Sequence, residues 1–196
     1  MRLPDEKKRR QICAVAARLF ASRPFHEVRL DDVAAAAKVG KGTLYVYFKS
    51  KDDLYVSLVY EGFAAMVDRL RGDLAPPGRA PAKLESVVRA LADFGWSHPH
   101  VFELIRRAGV GDGTAKWNDK RRELSDLIEG VIRTGAAAGE LRDDHPELTA
   151  LFIPGFVRSA VLFGPCGLDR ELLVRHILTL LTGALAPPTQ RSSTRG

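Results

Sequence analysis

The sequence contains little cysteine and no long uninterrupted apolar stretch. Its 196 residues include two cysteines. Cys13 lies in an apolar helical stripe and Cys166 in an expected loop, so we expect both thiols to be reduced, as in a cytoplasmic protein. No run of about 18 apolar residues occurs, and the basic start MRLPDEKKRR precedes no apolar stretch of secretory type. The sequence therefore predicts a soluble globular protein that is neither secreted nor membrane-spanning.

Patterns typical of enzymes and metal sites are also missing. No nucleophile, base and orienting acid can be assembled from the spacing, and residues 109–113, GVGDG, lack the lysine and Ser/Thr of a nucleotide loop. The motif His98-Pro99-His100 with Glu103 has neither a cysteine pair nor an i, i+4 histidine pair beside it. We therefore expect no metal, no cofactor and no enzymatic activity.

The most informative segment is residues 28–54, VRLDDVAAAAKVGKGTLYVYFKSKDDL. Apolar residues at helical spacing predict a short helix ending near Lys38, with Asp31 and Asp32 in its first turn, where the helix dipole favours negative charge. Residues 39–42, VGKG, interrupt the pattern, and glycine tolerates the backbone angles that a sharp turn needs. Two short helices joined by such a turn form the helix-turn-helix that docks on DNA.

In the second of these helices the apolar pattern resumes at Leu44 and Phe48. These residues lie four apart and are expected to face inward. The outward surface then carries hydrogen-bond donors suited to phosphates, namely Lys41, Thr43, Tyr45, Tyr47 and Lys49.

Positive charge is concentrated in the same part of the chain. Residues 1–51 contain 12 Lys+Arg against 5 Asp+Glu, whereas residues 52–196 contain 18 against 19. Basic surface of this kind attracts the phosphate backbone and supplies affinity that does not depend on sequence. The charge distribution thus agrees with a DNA-reading N-terminal part.

Residues 37–54, AKVGKGTLYVYFKSKDDL, resemble the recognition-helix signature of the tetracycline-repressor (TetR) family, and residues 10–25 resemble its first helix and following turn. Two positions depart from the family pattern. Lys38 stands where glycine is common, and Gly40 stands where a capping serine is common. Glycine in place of serine at a helix N-cap costs only a few tenths of a kcal/mol, so we expect the recognition helix to form through packing.

The resemblance also implies which residues contact DNA. Lys41 and Tyr45 would read base edges, whereas Tyr47 and Lys51 would touch phosphates. The complete implied set is Arg29, Lys41, Gly42, Thr43, Tyr45, Tyr47 and Lys51, assisted by Lys8, Arg9 and Arg10 on an N-terminal arm.

The remainder of the chain shows helical periodicity and no convincing alternating strand. We predict an all-α protein of about nine helices, with a helix-turn-helix DNA-binding domain over residues 1–51, a helical ligand-binding and dimerisation domain over 52–185 and a disordered tail over 186–196. Beyond the helix-turn-helix, helices are expected over residues 52–74, 81–97, 99–110, 114–138, 146–163 and 169–185.

The last two predicted helices have broad apolar faces interrupted by small residues. Part of such a face is ordinary core, but small residues also permit the close approach of a second helix pair, and a two-fold DNA reader needs such an interface. The resemblance implies a four-helix homodimer interface here. The candidates are Phe152, Gly155, Phe156, Ser159, Phe163, Leu173, Ile177 and Leu180.

The middle helices supply the aromatic and soft apolar surface that a ligand pocket requires. Aromatic residues at helical spacing also build ordinary core, so the resemblance implies a pocket without saying what fills it. The candidates are Phe63, Met66, Phe94, Trp96, Phe102, Ile105, Arg106 and Trp117.

Together these patterns predict a cytoplasmic, homodimeric, ligand-responsive transcriptional regulator, a repressor that binds a palindromic operator in double-stranded DNA. The resemblance implies that an unidentified small-molecule effector shifts the long helix starting near Asp52, changes the separation of the two recognition helices and releases the operator. Two alternatives remain open. One is a small-molecule binding protein with weakened DNA binding, which the missing serine cap at Gly40 favours, and the other is a nonspecific nucleic-acid binder.

Overall fold

The computed structural model describes residues 5–98 and 113–186. Within these two ranges the chain forms eight α-helices and one short 3₁₀ helix, with no strand, as the all-helical prediction requires. The helix predicted over residues 99–110 and positions 187–196 of the predicted tail lie outside the described residues. The 3₁₀ helix is Phe25–Glu27, and the α-helices are α1 (Glu6–Ser22), α2 (Leu30–Ala36), α3 (Lys41–Tyr47), α4 (Lys51–Leu74), α5 (Ala80–Ser97), α6 (Gly113–Ala137), α7 (Pro146–Phe163) and α8 (Arg170–Ala184).

The chain divides into two compact units, and the division falls inside α4 between Gly62 and Phe63. The domain boundary predicted after residue 51 coincides with the start of α4 and stays a prediction. The first unit comprises the described residues up to position 62, and the second comprises the described residues from position 63.

The core of the first unit is built by α1, α2, α3 and the beginning of α4. Leu44 and Phe48 are each 1% exposed, so the two residues predicted to face inward do so. A helix of seven residues is too short to be stable alone, and α3 therefore owes its stability to these buried contacts. The other core residues are Ile12, Cys13, Val15, Ala16, Val28, Val33, Ala34, Ala37 and Leu54.

The turn between α2 and α3 differs from the sequence prediction. Its left-handed residue is Lys38, at φ 52°, while Gly40 has φ −66° and ψ 147°. The amide of Lys38 donates to the carbonyl of Ala35 at 3.1 Å, and that of Val39 donates to the carbonyl of Ala34 at 3.0 Å. These are the two hydrogen bonds of a Schellman motif, whose left-handed position is usually glycine. The prediction that a glycine supplies the turn angle is therefore wrong.

In the second unit α5 packs against α6, α7 and α8. A Cβ on Gly135 of α6 would lie 2.4 Å from the Cβ of Ala80, so only glycine allows this approach of the two helices. Arg89 on α5 donates to both carboxylate oxygens of Glu171 on α8, at 2.8 and 3.1 Å. The Asp169 side chain caps α8 by accepting from the Leu172 amide at 2.7 Å.

Helix α7 is the most apolar element of the described part of the chain. Its length and composition alone would allow it to cross a membrane. One face, with Ala150, Ile153 and Val157, is buried against the second unit, whereas the other face leaves large apolar side chains exposed. This exposed apolar surface needs a partner, because contiguous apolar patches on a free protein surface mark interaction sites.

Candidate nucleic-acid interface

The outward face of α3 presents the side chains predicted to read DNA. Tyr45 is 46% exposed, Lys41 is exposed and Thr43 is half-buried. A Cβ placed on Gly42 would meet no atom within 4 Å, so this position is open on the protein side. The prediction that Leu44 and Phe48 turn this face outward is thus confirmed by the geometry, and contact with DNA stays a prediction.

Lys41 forms an ion pair on this surface. Its Nζ lies 2.9 Å from Oδ1 of Asp31 on α2, and the hydrogen bond to this carboxylate raises the pKa of Lys41. Both side chains are more than half exposed, so the pair contributes little to stability. Lys41 and Tyr45 lie beside a shallow depression of about 360 Å³, which Arg29 and Lys51 also line.

Arg29 and Tyr47 occupy the ends of the two short helices. The Arg29 side chain is exposed, and its backbone amide donates to the Asp32 carboxylate at 3.4 Å, which closes the first turn of α2. Tyr47 is half-buried, and its hydroxyl accepts a hydrogen bond from the Asp5 amide at 2.9 Å. A tyrosine hydroxyl that accepts one bond can still donate another, so Tyr47 keeps a donor for a phosphate.

Two of the cations predicted to contact DNA are engaged within the protein. Lys51 is partly buried, donates to the carbonyl of Phe25 at 2.9 Å and lies 4.4 Å from the centre of the Phe25 ring. Arg9 pairs with Glu61 at 2.7 Å, and its guanidinium stacks over the ring of Phe48. Both cations therefore hold elements of the first unit together, whatever further contact they make with DNA.

The predicted N-terminal arm is part of a helix. Lys8, Arg9 and Arg10 all lie in α1, whose start Asp5 caps by accepting from the Lys7 amide at 2.9 Å. The sequence interpretation as an arm is wrong because the Asp5 cap was overlooked. Lys8 and Arg10 remain exposed on the helix surface.

Sequence reasoning also missed Val46. This residue is 66% exposed on α3, which is unusual for a large apolar side chain on the surface of a short basic helix. The sequence did not single it out, because Val46 stands between two tyrosines and the apolar pattern of this helix was assigned to the core residues Leu44 and Phe48. An exposed valine on a recognition helix can contact the methyl group of thymine.

Two family models match the chain. The model described as bacterial regulatory proteins, tetR family, matches residues 12–58, and the model described as tetracyclin repressor-like, C-terminal domain, matches residues 77–162. The chain belongs to the TetR family. The first match contains the whole of α2 and α3, so the exposed side chains of α3 lie in a TetR helix-turn-helix. The protein is therefore a DNA-binding transcriptional regulator, as the sequence predicted.

Individual relatives agree with this membership. The fatty acid metabolism regulator protein of Bacillus subtilis is 26% identical over 136 residues, which cover 68% of this chain and 70% of the relative. The HTH-type transcriptional repressor NicS of Pseudomonas putida is 29% identical over 147 residues, covering 71% and 68% of the two chains. The crystal structure of Bacillus subtilis FadR in complex with stearoyl-CoA has a TM-score of 0.69 at 24% identity, covering 89% of this chain and 98% of that one.

Most of the predicted dimer residues of this TetR protein lie on exposed helix faces. Phe152, Phe156 and Phe163 on α7 are 52%, 42% and 82% exposed, and Leu180 on α8 is 50% exposed. Gly155 is half-buried and Ser159 is exposed. We call the exposed set Leu148, Leu151, Phe152, Phe156, Phe163, Leu172 and Leu180 the apolar face.

Two of the predicted dimer residues are buried. Leu173 and Ile177 are 8% and 2% exposed and lie in the core of the second unit. The sequence interpretation erred because α8 is apolar on more than one side, so its periodicity did not separate the inward face from the outward one. The neighbouring Leu172 takes the exposed position instead.

Three of the predicted pocket residues, Phe63, Phe94 and Trp117, form a packed aromatic cluster. The ring centre of Phe63 lies 5.3 Å from that of Trp117 and 5.4 Å from that of Phe94. Met66 is buried and Trp96 half-buried. The remaining candidates, Phe102, Ile105 and Arg106, lie outside the described residues.

A cavity of about 380 Å³ occurs elsewhere in the second unit, between the end of α4, the start of α5 and α6. None of the predicted pocket residues lines it. Its walls include the small residues Gly130 and Gly135 of α6 and Ala138 directly after it. That stripe of small residues is the sequence signal that could have located the cavity.

The two cysteines are free, as predicted. Cys13 is buried, and this burial, followed by the negative charge of Glu61, raises the pKa of Cys13 to about 11. A thiol that stays protonated at neutral pH is a poor nucleophile, so Cys13 is a core residue. Cys166 is exposed in the connection between α7 and α8.

Proposed function

We propose that the protein is a cytoplasmic homodimeric repressor, without enzymatic activity, that binds a palindromic operator. The observation that carries this proposal is the outward face of α3, where Lys41, Tyr45 and Val46 stand exposed together on the basic unit of a TetR chain. Lys41 and Tyr45 supply hydrogen-bond donors to base edges, and Val46 supplies an apolar contact. Thr43, Gly42, Arg29 and Tyr47 border the same surface, with Lys8, Arg10 and Lys51 as phosphate contacts.

The dimer is supported by the apolar face on α7 and α8. Phe163 alone is 82% exposed, and a soluble chain gains stability by burying such side chains against a copy of itself. A two-fold dimer would present two recognition helices to half-sites about one helical turn apart. Operator palindromy follows from this symmetry.

Selection of bound DNA from a random pool tests the operator proposal. The recovered sequence should be palindromic and should bind about a thousandfold more tightly than a scrambled duplex at the same salt concentration. Equal binding of the scrambled duplex would favour the nonspecific nucleic-acid binder. Absence of binding to any duplex would favour the small-molecule binding protein. A reporter gene placed behind the recovered operator should be expressed at a lower level when the protein is present, if the protein is a repressor.

We also propose that the effector carries a long apolar acyl chain. The name of the Bacillus subtilis relative refers to fatty acid metabolism, and the FadR structure contains stearoyl-CoA. The aromatic cluster of Phe63, Phe94 and Trp117 offers apolar surface in the corresponding unit. Ligand would release the operator only by binding more tightly to the conformation whose recognition helices do not fit the half-sites.

Titration of acyl-CoA thioesters of different chain length into the operator complex tests the effector proposal. Operator affinity should fall for chains above a certain length, and binding of the same thioester should weaken when operator is present, because coupling is reciprocal. A thioester that binds the free protein without changing operator affinity would contradict release by that compound.

A further inference from the structure

An aspartate stands beside the cations of the surface proposed to face DNA. Asp31 lies in the first turn of α2, and Lys41 is the first residue of α3. Nζ of Lys41 lies 2.9 Å from Oδ1 and 3.1 Å from Oδ2 of Asp31, so both carboxylate oxygens contact the one nitrogen. Asp31 also lines the shallow depression that Arg29 and Lys51 border. A negative charge is thus part of a surface that would lie against phosphates.

The adjacent Asp32 makes different contacts. The amide of Arg29 donates to its carboxylate at 3.4 Å, and the guanidinium of Arg23 lies 3.7 Å from the same carboxylate. Both aspartates stand in the first turn of α2, where a negative charge interacts favourably with the helix dipole. Their contacts distinguish them, because Asp32 closes the turn of its own helix whereas Asp31 reaches across to the recognition helix.

The carboxylate of Asp31 opposes binding to DNA of any sequence. It repels phosphates, and it offsets the charge of Lys41, which then contributes less to the counterion release that drives nonspecific binding. Both side chains are more than half exposed, so the ion pair adds little to stability. A residue that lowers general affinity without stabilising the fold suits a role in specificity, since specificity also rises when wrong partners bind less well.

Lys41 can contact a base without giving up the ion pair. A lysine ammonium has three N–H donors, so it can keep its bond to Asp31 and also donate to O6 or N7 of a guanine. The lysine side chain is otherwise a flexible four-carbon stem, and the contact with Asp31 restricts where its end lies. When DNA displaces water from the surface, the attraction between the two charges increases because the local dielectric falls.

We propose that Asp31 is a positioning residue, which directs Lys41 to a guanine of the operator half-site and weakens its attraction to phosphates elsewhere. The inference rests on the proposed operator binding. It adds a residue of α2 that acts through Lys41 to the side chains already proposed to read DNA.

Binding of the full chain to three duplexes at one salt concentration tests this role. The duplexes are the operator recovered from the random pool, the same operator changed at the base pair whose preference is lost in Lys41→Ala, and a scrambled sequence. The variants are Asp31→Asn, Asp31→Glu, Lys41→Ala and the double variant of Asp31→Asn with Lys41→Ala. Asp32→Asn is the matched control, because it removes the same charge from the same helical turn. Thermal melting checks that each variant is folded.

Asp31→Asn should lower the preference for the operator over the singly changed duplex about fivefold and should raise the affinity for the scrambled duplex about threefold. Asp31→Glu keeps a carboxylate for Lys41 and should recover most of the preference, which Asp32→Asn should leave unchanged. In the Lys41→Ala background, Asp31→Asn should not change the preference further, because the two residues act through one contact.

Four results would overturn this role: a preference that survives Asp31→Asn, an equal loss in Asp32→Asn, no recovery in Asp31→Glu, or a further loss when Asp31→Asn is added to Lys41→Ala. The absence of any base pair whose preference depends on Lys41 would also overturn it. Failure of the operator proposal is seen separately, because it requires the wild-type protein to bind the operator and the scrambled duplex equally.

Discussion

The two units of the chain expose different kinds of side chain. In the first, apolar residues are buried and the outward face of α3 presents donors such as Lys41 and Tyr45, whereas in the second α7 exposes Phe152, Phe156 and Phe163. Donor-rich basic surface suits phosphates and base edges, while contiguous apolar surface suits another protein surface. The difference supports the proposal that one chain carries two interfaces, one for nucleic acid and one for a second copy.

Val46 is an exception to this comparison, since it is an apolar side chain of the first unit that is exposed on α3. It therefore forms a matched pair with Leu44, two residues earlier on α3. Leu44 is 1% exposed and Val46 is 66% exposed.

The largest expected effect is the loss of stability in Leu44→Ala. Truncation of this buried leucine should lower the free energy of unfolding by about 2–5 kcal/mol because a cavity remains in a small core. Val46→Ala should change it by less than about 0.5 kcal/mol and should instead weaken operator binding. Thermal melting and gel shift measure the two quantities. Equal destabilisation by both changes would contradict the division of α3 into an inward and an outward side.

The next effect concerns the apolar face. Phe156→Asp places an unpaired carboxylate in the proposed dimer interface and should raise the dimer dissociation constant by about a hundredfold, since burial of a charge costs several kcal/mol. Ala65→Asp, at an exposed position of α4, is the control. Sedimentation equilibrium gives the constants. A dimer that survives Phe156→Asp unchanged would place the interface elsewhere.

The sequence predicted the helices well because their ends are encoded locally. Pro146 begins α7, as proline favours the first helical position, and Pro76-Pro77 follows the end of α4. The choice of face on α8 could not be predicted, because its apolar residues surround more than one side and only tertiary packing decides that Leu173 is buried and Leu172 exposed.

The candidate site was predictable as a surface but not in its internal contacts. The spacing of Leu44 and Phe48 was sufficient to place Lys41 and Tyr45 outward. Lys51 contacts Phe25, and Arg9 contacts Glu61. These partners are distant in sequence, and no pattern in the neighbouring residues predicts such contacts.

A smaller effect separates the two kinds of cation in the first unit. Lys51→Ala and Lys8→Ala should each lower the slope of log binding constant against log salt by about one, if both contact phosphates. Only Lys51→Ala should also lower the melting temperature, because Lys51 donates to the Phe25 carbonyl while Lys8 is exposed. An unchanged slope in Lys51→Ala would leave this lysine with a structural role alone.

The smallest effect compares the same motif in the two units. Both α2 and α6 end in a Schellman motif, with Lys38 at the left-handed position in the first unit and Gly139, at φ 70°, in the second. A side chain at this angle costs about 1–2 kcal/mol, while glycine loses more backbone entropy on folding, by about 0.5–1 kcal/mol.

Lys38→Gly should therefore stabilise the protein by about 0.5 kcal/mol, the difference between these two terms. Lys38→Ala removes the same charge but keeps a Cβ, so it should leave the stability nearly unchanged. Gly40→Ser should add a few tenths of a kcal/mol by restoring the cap, since a Cβ there would lie 3.8 Å from Oγ1 of Thr43 and meet no clash. Denaturant unfolding of the three variants measures these differences, and equal stability of Lys38→Gly and Lys38→Ala would show that the left-handed turn at Lys38 carries no strain.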